Sequence, residues 1–309
     1  MMKNKKATKG SVSGIFYGVN YPRKTFWYRI FTLPAILILL GIGVYPLLYA
    51  LYMSVHRFYL TRPYEGVTYI GFKGYLELFL DATFQKAFGN TLLVSFSATL
   101  LQLFIGISVG YLIYLYLKRP AAWVGSLVLP IVMPPVVAAL MWRFMLHPTL
   151  GAVNYALYKL FHLKLHWLAD PRLALFAVIA VDSWQWTPFI VIVFFTALCG
   201  LQKEVIEAAK IDGANNFKTL VHIVLPILTK VIIVTGLIRF VDLLKLFDVP
   251  FILTGGGPGF STETLSLYVY RKAFKEFNIG AGSAGGIILM VMTLILALVV
   301  FRSLSRGEE

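Results

Sequence analysis

The sequence predicts an all-α integral membrane protein with six transmembrane helices, and three observations carry that reading. Of its 309 residues, 59% are hydrophobic and only 14% charged, where a soluble domain is about 45–50% apolar and about 25% charged. Several apolar runs exceed the roughly 20 residues a helix needs to cross a bilayer. The alternating short strands of a membrane barrel are missing. The same composition excludes a disordered or collagen-like chain and argues against a soluble enzyme, because too few charges remain to coat a globule of this size. The net charge of +14 fits nucleic acid, anionic lipid or an orientation signal, so its location must decide.

In chain order, residues 1–29 form a basic tail with Lys3, Lys5, Lys6, Lys9, Arg23, Lys24 and Arg29. The apolar run behind it is longer than the about 7–15 residues of a signal peptide, so it reads as an uncleaved first span, Ile30–Val55. Further uncharged candidates are Ala87–Leu117, Pro120–Trp142 and Ile279–Phe301, and Leu173–Gln202 carries the single charge Asp182. The remaining candidate, Ile227–Leu253, is interrupted by Lys230, Arg239, Asp242, Lys245 and Asp248. Residues 30–305 thus form the transmembrane domain, and 306–309 a short cytoplasmic C-terminus. The seven tail positives place the N-terminus in the cytoplasm by the positive-inside rule, and six spans return the C-terminus to the same side. Between the spans, 14 Lys/Arg then lie on the cytoplasmic side and 10 outside. The basic balance is therefore an orientation signal toward membrane lipid, with no nucleic-acid partner implied. The lone Cys199 can form no intramolecular disulfide, and the longest loop, about His56 to Lys86, is expected to be a small cap.

The stretch Gly255–Thr262 is rich in glycine but lacks the Gly-Lys-Ser/Thr ending and strand-to-helix context of a phosphate loop. It reads as a flexible external loop. No other segment offers a nucleotide-binding motif, so the chain is expected to be no enzyme and to hold no cofactor. His162 and His166 have an i, i+4 spacing but lack an acidic third ligand, so no metal is expected.

Two polar regions stand out. The cytoplasmic loop at about 200–226 reads as helix, turn, helix: Glu207-Ala208-Ala209 is helix-forming, Asp212-Gly213 stops a helix, and Phe217, Leu220, Val221 and Val224 recur at helical spacing. Pro226 is expected to open the next span. An ordinary amphipathic interfacial loop fits as well. At membrane depth, where polar groups usually face a cavity, a partner or one another, Arg239, Asp242, Lys245 and Asp248 alternate in sign at i, i+3 spacing. They form either a self-neutralised stripe or a substrate contact. Asp182, Trp184, Gln185 and Trp186 make a polar-aromatic cluster that could hold a sugar's hydroxyls and C–H face, or belong to an interfacial belt.

The pattern Glu207-Ala208-Ala209, three residues, Gly213, nine residues, Ile223-x-Leu225-Pro226 resembles the EAA loop of ABC importer permeases at every specified position. Phe247-Asp248, Leu253 to Gly259, Ser261 to Tyr270, Ala273-Phe274, Gly280 and Ala284 are similar to the C-terminal half of carbohydrate-type members. The resemblance implies a type I ABC importer permease fold and a coupling loop on an ATPase subunit, built around Glu207, Ala208, Ala209, Asp212, Gly213, Ala214, Ile223, Leu225 and Pro226. Its partners would be a second homologous permease, an ATP-binding subunit dimer that binds ATP and Mg, and an extracytoplasmic solute-binding protein. The cargo would be an oligosaccharide, disaccharide or polyol phosphate, imported across a prokaryotic inner membrane by alternating access. The substrate path would include Asp182, Trp186, Arg239, Asp242, Leu243 and Leu246. An ion-coupled secondary transporter using the charges of the fifth span, or a channel-forming subunit, are the competing classes; neither needs the EAA loop.

Overall fold

The computed structural model describes residues 24–117, 123 and 125–305. The tail up to residue 23, Lys118, Arg119 and residues 306–309 lie outside the described residues. The chain divides into two compact units, Met1–Tyr49 and Ala50–Glu309. In the first, helix α1 (Lys24–Leu39) starts six residues inside the predicted tail and passes through a π-helical turn, Leu40–Val44, into α2 (Tyr45–Ser54), whose last five residues belong to the second.

The second unit continues with two-residue strands β1 (His56–Arg57) and β2 (Thr68–Tyr69), paired antiparallel with His56 opposite Tyr69. This small hairpin, with α3 (Lys73–Leu80), fills the predicted cap. The 35-residue α4 (Ala82–Tyr116) is about 52 Å long at 1.5 Å per residue, more than the hydrocarbon core demands. Its N-cap Asp81 accepts from the Thr83 N–H at 2.8 Å, satisfying one of the orphan donors of the first turn.

The third predicted span is no continuous helix. Among its described residues, α5 (Val128–Val132) and α6 (Pro135–Met145) are separated by a break at Met133-Pro134. Proline removes an N–H and its ring collides with the carbonyl four residues back, so two consecutive prolines divide the helix. Next come α7 (Ala152–Phe161) and α8 (Pro171–Cys199), the latter capped by Asp170, whose carboxylate accepts from Arg172 and Leu173 N–H.

Beyond α8 run α9 (Lys203–Ile211), α10 (Asn216–Thr219), a π-helical turn and α11 (Leu225–Ile227). A 75° bend leads into α12 (Thr229–Leu244). The fifth span therefore opens at Thr229, and Pro226 belongs to the loop's second helix. A π turn at Leu220–Val224 precedes Pro226, and the wider turn gives its missing N–H and bulky ring room. The span also ends earlier than predicted. α12 stops at Leu244, and α13 (Asp248–Leu253) is a separate helix, because Pro250 would collide with the Leu246 carbonyl of a continuing helix. That carbonyl instead accepts from Thr264 Oγ1 at 2.8 Å. α14 (Leu265–Tyr270) and α15 (Ile279–Ser305) complete the unit. Among the described residues, four helices are long and apolar enough to cross a membrane, and the number is five if the bent pair Asn216–Ile227 with Thr229–Leu244 counts as one span.

Helices α4 and α8 approach closely. A Cβ on Gly106 would lie 2.6 Å from Ile190 Cγ2. Small residues permit such contacts where lipid offers no hydrophobic drive for helix association. Buried clusters lie along this pair. Val94, Val178, Val181, Val249 and Leu253 form one near the α13 end. Tyr111, Phe194, Leu198, Val224 and Leu228 form one under the loop.

Candidate functional site

The loop folds as helix, turn, helix. α9 ends where Asp212 N–H reaches Ala208 O at 3.0 Å and Ala214 N–H reaches Ala209 O at 2.9 Å. Gly213 sits at φ +80°, a conformation that a Cβ disfavours. Asn215 then caps the restart, its side chain accepting from Lys218 N–H at 2.8 Å. Underneath, Tyr111 Oη of α4 donates to Asn216 O at 2.9 Å, and Val224 and Leu228 pack against Phe194 and Leu198 of α8. Ile206 and Ala209 are buried, while Glu207, Ala208, Asp212 and Gly213 stay exposed, and Ile211 and Phe217 are 86% and 71% exposed. Phe217 therefore leaves the apolar stripe predicted for it. The result is a loop tied to two long helices on one side, with Glu207, Ala208, Ile211, Asp212 and Phe217 exposed on the other.

The second region lies where α4, α8 and α12 meet. Asp182 Oδ2 accepts from Gln102 Nε2 at 2.7 Å and from Arg239 Nη2 at 2.9 Å, and Arg239 Nε donates to Gln102 Oε1 at 3.0 Å. Each of the three side chains bonds both others, and all are at most 3% exposed. The guanidinium carbon lies 4.7 Å from the Trp186 ring centroid, a cation–π distance. Of the predicted i, i+3 pairs, Arg239–Asp242 is met at 3.8 Å and Lys245–Asp242 at 3.7 Å. Asp248 belongs to α13 and joins no ion pair among the described residues.

A cavity of about 290 Å³ opens beside this network, lined by Asp182, Trp186, Arg239, Asp242, Leu243 and Leu246 among others. The structure thus brings all six predicted path residues to one cavity. It does not leave them equally available. Leu243 is 1% exposed, Asp182 is engaged by two donors, and one face of Trp186 carries Arg239. Gln185 donates Nε2 to Met133 O at 2.8 Å, using the carbonyl freed at the proline break, and leaves Oε1 buried without a partner. Sequence reasoning missed Gln102, whose only signal was an amide in the middle of an uncharged run.

The glycine-rich stretch is anchored rather than flexible. Lys86 Nζ donates to Gly259 O at 2.7 Å, and Asn90 Nδ2 to Phe260 O and Glu263 O. Behind it, Glu263 bonds Arg271 at 2.7 Å, Arg271 and Lys272 both pair with Glu276, and Lys272 reaches Asp81 at 3.5 Å. Tyr268 Oη donates to Asp81 Oδ2 at 2.8 Å. Burial pushes the Glu263 carboxyl above the usual carboxylate range despite Arg271. At Asp81, burial is outweighed by the Tyr268, Thr83 and Lys272 contacts, and its pKa falls.

Comparisons with known proteins agree with this architecture. The chain is 32% identical over 279 residues to a probable ABC transporter permease protein of Sinorhizobium fredii, covering 90% of each. It is 30% identical to the trehalose/maltose transport system permease protein MalF of Thermococcus litoralis, over 87% of this chain and 90% of the relative. A crystal structure of a bacterial ABC transporter involved in importing the acidic polysaccharide alginate matches in fold, with TM-score 0.77, 24% identity and coverage of 92% and 96%. Residues 102–306, holding the loop, Gln102, Asp182 and Arg239, match a family described as the inner membrane component of binding-protein-dependent transport systems, and the chain belongs to that family.

Proposed function

We propose that this permease carries a carbohydrate inward by alternating access, with its coupling loop seated on a separate ATP-hydrolysing subunit. The observation that carries the proposal is the loop: a helix-turn-helix fixed to α4 and α8 on one side and open on the other, in the sequence pattern of the EAA motif. Glu207 and Ala208 lie on the exposed face, where a docking groove would meet them. Gly213 provides the turn, and Ala209, Asp212, Ala214, Ile223, Leu225 and Pro226 fix the angle between its helices. A push on the loop reaches the cavity by a rigid route, through Val224 and Leu228 into α8 and α12. The complete importer would add a second homologous permease, an ATPase dimer holding ATP and Mg, and an extracytoplasmic solute-binding protein. Both termini would face the cytoplasm.

The cavity beside Arg239 is the proposed cargo path, with Trp186, Asp242 and Leu246 the residues most able to meet a sugar. Arg239 and Asp182 satisfy each other, which argues against their use as an ion relay. The test is uptake into vesicles holding the assembled importer. Accumulation should stop when ATP hydrolysis is blocked, and Glu207→Lys should abolish it while leaving the protein in the membrane. Uptake driven by an ion gradient alone would sink the proposal.

A further inference from the structure

We infer that the cavity between α8 and α12 is built for an electroneutral, hydroxyl-rich cargo and turns away acidic ones. The inference rests on the permease reading above and names the substrate class of that same site. The choice is open because chains similar to this one are described as serving both a neutral disaccharide and an acidic polysaccharide.

The charges decide it. Among the described residues lining the cavity, three carboxylates, Asp182, Asp242 and Asp248, face two cations, Arg239 and Lys245. Each cation already faces a carboxylate of the same lining. Arg239 gives Nη2 to Asp182 and Nε to Gln102, stacks on Trp186 and is 3% exposed. Lys245 pairs with Asp242, both about half exposed. Asp248 is left uncompensated. An entering phosphate, sulfonate or uronate would meet a lining whose carboxylates outnumber its cations.

A hydroxyl meets the opposite situation. The Asp242–Lys245 contact, at 3.7 Å, is looser than the about 2.7–2.9 Å of a direct charge-assisted hydrogen bond. Asp242 and Asp248 can therefore accept from hydroxyls, and Lys245 can donate to one. Trp186 and Phe247 supply ring surface for C–H groups.

The cavity's charge can be read without knowing the cargo. The single cysteine is replaced (Cys199→Ser), Leu246→Cys places a thiol in the lining, and the assembled importer in membranes is treated with cationic, neutral and anionic methanethiosulfonates. Rates are divided by those of a free small thiol. One uncompensated carboxylate should raise the cation-to-anion ratio about tenfold. Asp248→Asn should remove most of that bias and Asp248→Lys should invert it, while the neutral reagent reports that the site still forms. A ratio at or below one, a ratio indifferent to both Asp248 variants, or a thiol that no reagent reaches overturns the inference. So does ATP-dependent accumulation of a labelled uronic-acid disaccharide. A chain that shows the predicted thiol bias but takes up cargo without ATP would refute the permease mechanism and leave the charge reading standing.

Discussion

Replacing Asp182 by Asn keeps the shape of the buried network and removes its only strong anion. The Arg239 guanidinium would remain 3% exposed, with Gln102 as its remaining close partner at 3.0 Å; the Asp242 carboxylate is 3.8 Å away and half in solvent. The lost contact is a 2.9 Å charge-assisted bond, worth about 1.5–3 kcal/mol. Stranding the charge raises the total toward the about 3–5 kcal/mol seen when one member of a buried pair is removed. Arg239→Met alone should cost a similar amount, because Asp182 is then buried with only the Gln102 amide. The double variant Asp182→Asn with Arg239→Met should lose far less than the sum, since it removes both charges of the buried pair and strands neither. Unfolding equilibria in mixed detergent micelles give the cycle, and a coupling of about 3 kcal/mol or more is expected. Single losses under about 1 kcal/mol, or losses that simply add, would show that water or the cavity solvates these charges and would refute the closed network.

Three further outcomes follow from other parts of the chain. Gly213→Val forces a β-branched residue to φ +80°, so ATP-driven uptake should fall at least tenfold while the protein still inserts; normal uptake would separate the turn from coupling. Gly106→Leu drives a side chain into Ile190, 2.6 Å from where its Cβ must sit, and should destabilise by about 1–3 kcal/mol or more by overpacking; unchanged thermal stability in detergent would refute the close helix contact. Tyr268→Phe removes a bond to the Asp81 carboxylate worth about 1.5–3 kcal/mol. Because burial and Asp81 hold the folded Tyr268 pKa above its usual 10.0, the unfolded tyrosine ionises first. Wild-type stability should decline as pH rises past 10, and the phenylalanine variant should lose that component. Identical alkaline profiles would remove Tyr268 from the anchor of the glycine-rich loop.

Much of the fold was readable because it depends on length and polarity alone. The runs ending up in α4, α8 and α15 are uncharged or nearly so, and hydrocarbon admits little else than a helix there. The loop was readable for a different reason. Asp212-Gly213 is a local signal whose effect extends only a few residues, so the turn appears where the sequence put it, while the second helix is split by a π turn and leaves Phe217 exposed. Helix breaks were harder. Pro188 is tolerated in the middle of α8, while Pro250 stands in the first turn of α13, just past the break after α12, although the residue type is the same. At the break, the carbonyl of Leu246 accepts from Thr264, 18 residues further along the chain, and no local rule supplies that partner.

The charged stripe shows where reading along one helix must fail. Spacing relates each residue to neighbours three or four positions away, so it finds Arg239–Asp242 and Asp242–Lys245 and assigns Arg239 to its own helix. The structure gives Arg239 a nearer anion, Asp182, on α8, and an amide, Gln102, on α4, 57 and 137 residues away in sequence. A buried cation needs a buried anion more than an exposed one, because water already serves the exposed one. Asp182 is 2% exposed and Asp242 about half, so burial decides the pairing. Arg239 therefore works as a clasp joining three helices, and its capture by Asp182 is what leaves Asp242, Lys245 and Asp248 as the charges that cargo would meet.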